Sequence, residues 1–218
     1  MRVFQIGAAG NVGRRLSVLL SQRGDDITGM HRSPGQAEVI LAAGAKPVRG
    51  DLISDSVQDL AAQMAGHDAV VFSAGAHGAG QSMTTQIDGL GLEKAVDAAR
   101  SAGISRFVLV SAFPESERAQ GLGDDFEHYM RTKKTADVYL ASSGLDWVIV
   151  RPGLLTDGPG DGLVSAGMAV EYGEVSRVHV AMFIEAALHE PELNHIIVEL
   201  TDGPEPLEQA VARLVSAC

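Results

Sequence analysis

Val3-Phe4-Gln5-Ile6-Gly7-Ala8-Ala9-Gly10-Asn11-Val12-Gly13-Arg14 stands at the start of the chain and decides its fold class. An apolar run meets three glycines spaced three apart, and a helical segment, Leu16 to Leu20, follows. The order is strand, phosphate loop, helix. The first glycine permits a sharp turn, the second lets the backbone approach a pyrophosphate, and the third lets the helix pack closely on its strand. Backbone N–H groups and the positive end of the helix dipole then face the phosphates of a dinucleotide. A glycine triplet alone is a weak signal; the strand and helix on its flanks give it weight.

Outward from this stretch, short apolar runs alternate with longer amphipathic segments. Strands are expected at Arg2–Ile6, Ile27–His31, Lys46–Arg49, Ala69–Ser73, Phe107–Ser111, Trp147–Arg151 and Ile196–Leu200. Helices are expected between them, at Val12–Arg23, Gly35–Ala43, Ser56–Ala65, Thr85–Ala102, Asp125–Ser143, Val178–His189 and Pro206–Ser216. This alternation predicts an α/β fold of the Rossmann type, a doubly wound parallel sheet in three layers (α/β/α). Ligands of such sheets bind beyond the carboxyl ends of the strands, near the switch in strand order. One domain over residues 1–218 is expected, with a small substrate or lid portion over about 152–218. In that portion Gly153–Gly162 reads as flexible and polar, closing over substrate, and Met168–Tyr172 as a short strand.

Composition excludes more than it names. Hydrophobic residues make up 45% of the chain and charged ones 21%, as in an ordinary globular protein. A net charge of −11 disfavours a nucleic-acid or anionic-membrane surface and suits a small-molecule partner. The one cysteine, Cys218, reads as an exposed tail thiol and allows neither an internal disulfide nor a multi-cysteine metal site. The histidines lack metal-ligand spacing, so no metal is expected. With no leader-like stretch ahead of the first strand and no apolar run of membrane-spanning length, a cytoplasmic protein is expected. Assembly stays open, a homo-oligomer included.

The second expected strand ends in Met30-His31-Arg32-Ser33-Pro34. An acid at this place binds the ribose hydroxyls of NAD, whereas an arginine accommodates the 2′-phosphate of NADP. The position holds Arg32, and Arg14 can add charge on the same side through paired guanidinium–phosphate bonds. NADP(H) is therefore preferred over NAD(H), the alternative being that Arg32 is a solvated loop cation. Asp51, in Gly50-Asp51-Leu52, either accepts from the adenine amino group or serves its own turn. Ala74 and Gly75 leave room for a ribose.

A buried strand, Arg106 to Ser111, ends in a hydroxyl, and Tyr129 and Lys133 follow on one helical face, four residues apart. An ordinary tyrosine has a pKa of about 10, and a neighbouring ammonium lowers it toward acid–base use. The plain alternative is a packing tyrosine beside a solvated lysine. His179 reads either as a proton donor or, preferably, as an ordinary helix-end histidine without an acid near it.

With Ser143-Gly144-Leu145-Asp146-Trp147-Val148-Ile149-Val150-Arg151-Pro152-Gly153, these motifs resemble the atypical short-chain dehydrogenase/reductase proteins, more narrowly their small NmrA-like or epimerase/dehydratase-like members, from Met1 to about His189. The resemblance implies cofactor contacts from Gly7, Ala9, Gly10, Asn11, Val12, Arg32, Asp51, Leu52, Ala74, Gly75, Lys133, Pro152, Gly153, Leu154 and Leu155, beside the motif's Gly13 and Arg14. It implies Tyr129 as the acid and Lys133 as its electrostatic partner. It also aligns Ala112 with the usual catalytic serine. Ser111, the neighbouring hydroxyl and third catalytic candidate, then faces the other way if side chains simply alternate; Thr84 and Ser82 are substitutes. The expected function is an NADP(H)-dependent oxidoreductase acting on a small carbonyl or alcohol. The alternatives are an NADP(H)-reading regulator with a protein partner, which the alanine would favour, and a nucleotide-sugar epimerase or dehydratase.

Overall fold

The computed structural model describes residues 1–113, 115–117 and 120–217; Cys218 lies outside the described residues. The elements run β1 (Arg2–Ile6), α1 (Asn11–Arg23), β2 (Asp26–His31), α2 (Pro34–Ala42), β3 (Lys46–Arg49), α3 (Val57–Met64) and β4 (Ala69–Phe72). A long helical stretch follows: α4 (Gln81–Thr84), a π-helical segment (Thr85–Leu90) and α5 (Gly91–Ser101). Then come β5 (Arg106–Val110), α6 (Asp124–Ala141), β6 (Asp146–Pro152), β7 (Leu154–Thr156), β8 (Leu163–Gly167), β9 (Glu174–Ser176), α7 (Arg177–His189), β10 (Ile196–Asp202), β11 (Glu205–Pro206) and α8 (Leu207–Val215).

The main sheet has nine strands in the order β11-β8-β10-β6-β5-β4-β1-β2-β3. From β3 to β6 this is the 3-2-1-4-5-6 order of a dinucleotide-binding sheet, whose direction of winding reverses between β1 and β4. Side chains alternate between the two faces along each strand. In β1, Val3 joins a core with Leu16 and Leu20 of α1 and Phe183 and Ile184 of α7, whereas Phe4 and Ile6 join one with Leu60 of α3, Leu92 of α5 and Leu140 of α6. Both faces are covered, so the strands are apolar throughout rather than amphipathic.

The chain beyond β6 departs from the expectation of a wholly parallel sheet. β10 pairs parallel with β6, but β8 lies antiparallel on β10, and β11 antiparallel on β8. The extra strand is Leu163–Gly167, not Met168–Tyr172: Val164 and Ala166 alternate into the core, whereas Met168 is 75% exposed. Gly153–Gly162 is not loose either. Its first residues form β7, paired with β9, and a Cβ on Gly153 would lie 2.0 Å from the Gly173 carbonyl oxygen.

Two polar devices hold this frame. Gln5, in the middle of apolar β1, is fully buried; its Nε2 donates to the Gly13 carbonyl at 2.8 Å and its Oε1 accepts from Ser17 Oγ at 2.8 Å, tying α1 down on the sheet. Arg106, at the start of β5, donates to the carbonyls of Ala187, Glu190 and Leu193, which fastens the end of α7. The approach of α1 to β1 is close enough that a Cβ on Gly13 would lie 2.2 Å from the Gly7 carbonyl oxygen. A backbone atom cannot yield as a flexible side chain can. Gly13→Ala is therefore expected to cost at least about 2 kcal/mol, read as a lowered urea midpoint at unchanged slope.

Candidate active site

The turn after β1 and the end of β4 meet at the reversal point and open a cleft with two lobes, of about 320 Å³ and about 400 Å³, which share Gly10, Ser73, Ala74, Gly75 and His77. Gly7 turns with φ of +91°, and a Cβ there would lie 2.6 Å from the Ala74 nitrogen. Only glycine tolerates both conditions. Gly10 donates its N–H to the Gly7 carbonyl at 2.9 Å and presents α1, which begins at Asn11 with no side-chain cap and no acid in its first turn. The open N–H groups and dipole of this helix end make an anion seat.

The first lobe also takes Arg32, Asp51 and Leu52. Arg32 donates its backbone N–H to Gln36 Oε1 at 3.0 Å, and among the described residues its guanidinium makes no ion pair. Asp51 closes its own turn, with Oδ1 accepting the Ile53 N–H at 2.9 Å, so the turn role holds while the residue still walls the lobe. Lys94 of α5 braces that wall by donating to the carbonyls of Leu52, Ile53 and Asp55 at 2.7, 3.2 and 2.5 Å. Ala9, Ala74 and Gly75 line the lobe as well; Asn11 and Val12 line the second one.

The second lobe gathers Ser111, Tyr129 and Lys133. Ser111 lines the lobe; its N–H donates to the Val150 carbonyl at 2.7 Å, so strand alternation carries through it and turns it, like Phe107 and Leu109, to the α6 face, where its buried hydroxyl lies beside Asp137. Lys133 is 2% exposed; its Nζ donates to the Val110 carbonyl at 3.0 Å and lies 3.7 Å from Asp88 Oδ1. Burial pulls its ammonium below the ordinary lysine value, against the opposing pull of Asp88 and Asp137. Asp137 Oδ2 accepts from Arg151 Nε and Nη2 at 3.0 and 2.8 Å, while burial pushes its carboxyl upward against Ser111, Arg151 and Lys133. The Tyr129 phenol is pushed above, not below, its ordinary value by burial first and then by Asp88 and Asp137. The expected lowering by Lys133 does not occur: burial and the two carboxylates raise the phenol instead.

A family model described as NAD(P)H-binding matches residues 7–191. The chain belongs to this NAD(P)H-binding family. A Bacillus subtilis relative named "Uncharacterized sugar epimerase YhfK" is 38% identical over 98% of this chain and 100% of its own length. The crystal structure of the oxidoreductase ylbE from Lactococcus lactis superposes with a TM-score of 0.87 at 25% identity, over 99% of this chain and 97% of that one. ChuY from Escherichia coli O157:H7, titled an anaerobillin reductase, gives 0.76 at 25% identity, over 93% and 97%. The fold is thus of the oxidoreductase type, and among its structural neighbours is a reductase.

Several residues expected to touch cofactor in this NAD(P)H-binding chain do not line the cleft. Gly13 is a packing residue under α1, and Arg14 is exposed on an apolar groove formed with Val18 and Val39. Of Pro152, Gly153, Leu154 and Leu155, only Leu155 lines the lobe; pairing of β7 with β9 wedges Gly153 between backbones and turns Leu154 outward, 51% exposed. His179 proves to have acid neighbours. It is 2% exposed, its Nδ1 donates to Asp202 Oδ1 at 2.6 Å, and its Nε2 accepts the N–H groups of Asp161 and Gly162, both at 2.9 Å. With both nitrogens engaged it is a latch on the loop after β7 rather than a proton donor.

Asp88 and Asp137 were missed by the sequence reading, though each carries a signal. Asp88 is in helical phase with the buried stripe Leu92, Ala95, Val96 and Ala99, and Asp137 with Met130, Lys133 and Leu140. An acid in phase with an apolar stripe is either paired or functional. His179→Ala removes the acceptor of two loop amides. The expected cost is about 1–3 kcal/mol, with hydrogen exchange at Asp161 and Gly162 accelerated over the wild type while exchange in the sheet is unchanged.

Proposed function

We propose that this chain is an NADP(H)-dependent oxidoreductase that reduces a small carbonyl substrate, with Tyr129 as the proton donor. The observation that carries the reading is that Ser111, Tyr129 and Lys133 line one lobe of a cleft whose other lobe holds the glycine turn and Arg32. The residues present fit a dinucleotide with a 2′-phosphate. The turn at Gly7 and Gly10 leaves backbone open to phosphates, the uncapped end of α1 attracts them, and Arg32, whose guanidinium makes no ion pair among the described residues, stands where the ribose would lie. NADPH, when bound, supplies a hydride.

The chain's own residues then do the rest. Tyr129 keeps its proton, because burial and two carboxylates disfavour the phenolate, and hydrogen-bonds the carbonyl oxygen on which negative charge develops. Ser111 lines the same lobe, with its buried hydroxyl beside Asp137. Lys133 lines the lobe with its ammonium held by the Val110 carbonyl and Asp88. The regulator reading leaned on Ala112; Ser111, one residue earlier, puts a hydroxyl-bearing residue on the lobe wall. A sugar-nucleotide epimerase or dehydratase is favoured by the names of a Bacillus subtilis relative and of a Bacillus halodurans structural neighbour rather than by a residue of this site.

Purified protein with NADPH and a panel of quinones, aldehydes and ketones is expected to show turnover that falls at least about 100-fold in Tyr129→Phe. Turnover unchanged in that variant removes the assignment. The raised phenol value further implies that the kcat profile shows no loss from tyrosine ionisation below about pH 10, the ordinary value. Arg32→Asp is expected to weaken NADPH binding by about tenfold or more while sparing NADH; an unaltered preference would sink the 2′-phosphate argument.

A further inference from the structure

Across the cleft from the glycine turn stands a second cationic group. Arg177 opens α7, whose start is set by Ser176: its Oγ accepts the Val178 N–H at 3.2 Å and its backbone N–H donates to Asp202 Oδ1 at 2.9 Å. Arg177 lines the same lobe as Gly10, Asn11 and Val12, the uncapped beginning of α1. Its Nη1 lies 3.2 Å from Asp157 Oδ1, and Arg15 Nη2 lies 3.2 Å from that same oxygen. Arg15 has a further bond, from Nη1 to the Asn11 carbonyl at 2.8 Å; Arg177 makes no other hydrogen bond or ion pair among the described residues.

Two guanidinium groups thus share one carboxylate oxygen, which leaves positive charge in excess where the phosphates of a dinucleotide would lie. Asp157 is 64% exposed, whereas the side chains of Arg177 and Arg15 are 21% and 24% exposed. An exposed ion pair of this kind is weak and readily exchanged. A phosphate offers a guanidinium two parallel charge-assisted hydrogen bonds in the same direction.

We infer that Arg177 is a binding residue for the pyrophosphate of the dinucleotide, closing on it from the C-terminal part of the chain and exchanging Asp157 for phosphate oxygens. The inference rests on the NADP(H) reading above. It assigns Arg177 a role distinct from that of Arg32: the pyrophosphate is common to NADH and NADPH, so Arg177 adds affinity without discriminating between them. Asp157 is then a holding group, which keeps the guanidinium in place before the ligand arrives and competes with it.

The full chain titrated with NADPH, NADH, ADP-ribose and adenosine 2′-monophosphate tests this. Arg177→Met is expected to weaken the first three by about tenfold each and to leave adenosine 2′-monophosphate, which lacks a pyrophosphate, unchanged. Arg177→Lys should fall between the two. Asp157→Asn should shift binding in the opposite direction, tightening ADP-ribose, which a merely structural ion pair would not do. Unchanged ADP-ribose binding in Arg177→Met, or equal weakening in Arg177→Met and Asp157→Asn, overturns the inference while leaving the NADP(H) reading intact. Wild-type protein that binds none of the nucleotides overturns both. Intact cofactor affinity with a raised carbonyl-substrate KM in Arg177→Met overturns it in favour of a substrate contact.

Discussion

The carbonyl of Gly7 is the point about which the site is arranged. It accepts the Gly10 N–H at 2.9 Å and occupies the space that a Cβ on Gly13 would need, so strand, turn and helix are pressed together without intervening side chains. From that contact follow the direction of α1, the exposure of its first N–H groups and the narrow approach of Gly7 to the end of β4. Gln5 secures the same contact from inside the sheet, since one of its amide atoms holds the Gly13 carbonyl and the other the Ser17 hydroxyl. A cradle built of backbone costs little reorganisation when an anion enters it, because the N–H groups already point outward.

The second lobe is governed by a different constraint, the burial of charge. Lys133 and Asp88 are each 2% exposed, and Asp137 is likewise buried against Arg151. Desolvating such groups is costly, and each pair is tolerated because its partner and nearby backbone groups satisfy it. Here the satisfaction comes from three separate elements. The π-helical segment brings in Asp88, α6 carries both Lys133 and Asp137, and β6 supplies Arg151. Asp88 also accepts the Ala76 N–H at 2.9 Å, so the group that faces the lysine steadies the loop after β4. Burial and these carboxylates keep the Tyr129 phenol protonated.

The C-terminal third extends the sheet and latches onto the site. Asp202, at the end of β10, accepts from both the Ser176 N–H and His179, and His179 in turn holds the loop that leads away from β7. The same junction sets the start of α7 and therefore the place of Arg177.

Strand and helix positions up to β6 were legible in the sequence, because local periodicity and glycine spacing act over a few residues and are written in consecutive positions. The glycine turn and its site were legible for the same reason: Gly7, Gly10 and the start of α1 carry their meaning in spacing alone. Tertiary structure alone decided the rest. The face that Ser111 takes follows from the pairing of β5 with β6, the direction of the Tyr129 shift from Asp88 on another helical segment and Asp137 two turns along its own helix, and the use of His179 from Asp202, 23 residues later. The fate of Pro152 to Leu155 depended on a strand partner, β9, that no local pattern announced. Electrostatic environment and strand pairing are sums over neighbours in space, and a sequence displays only neighbours along the chain.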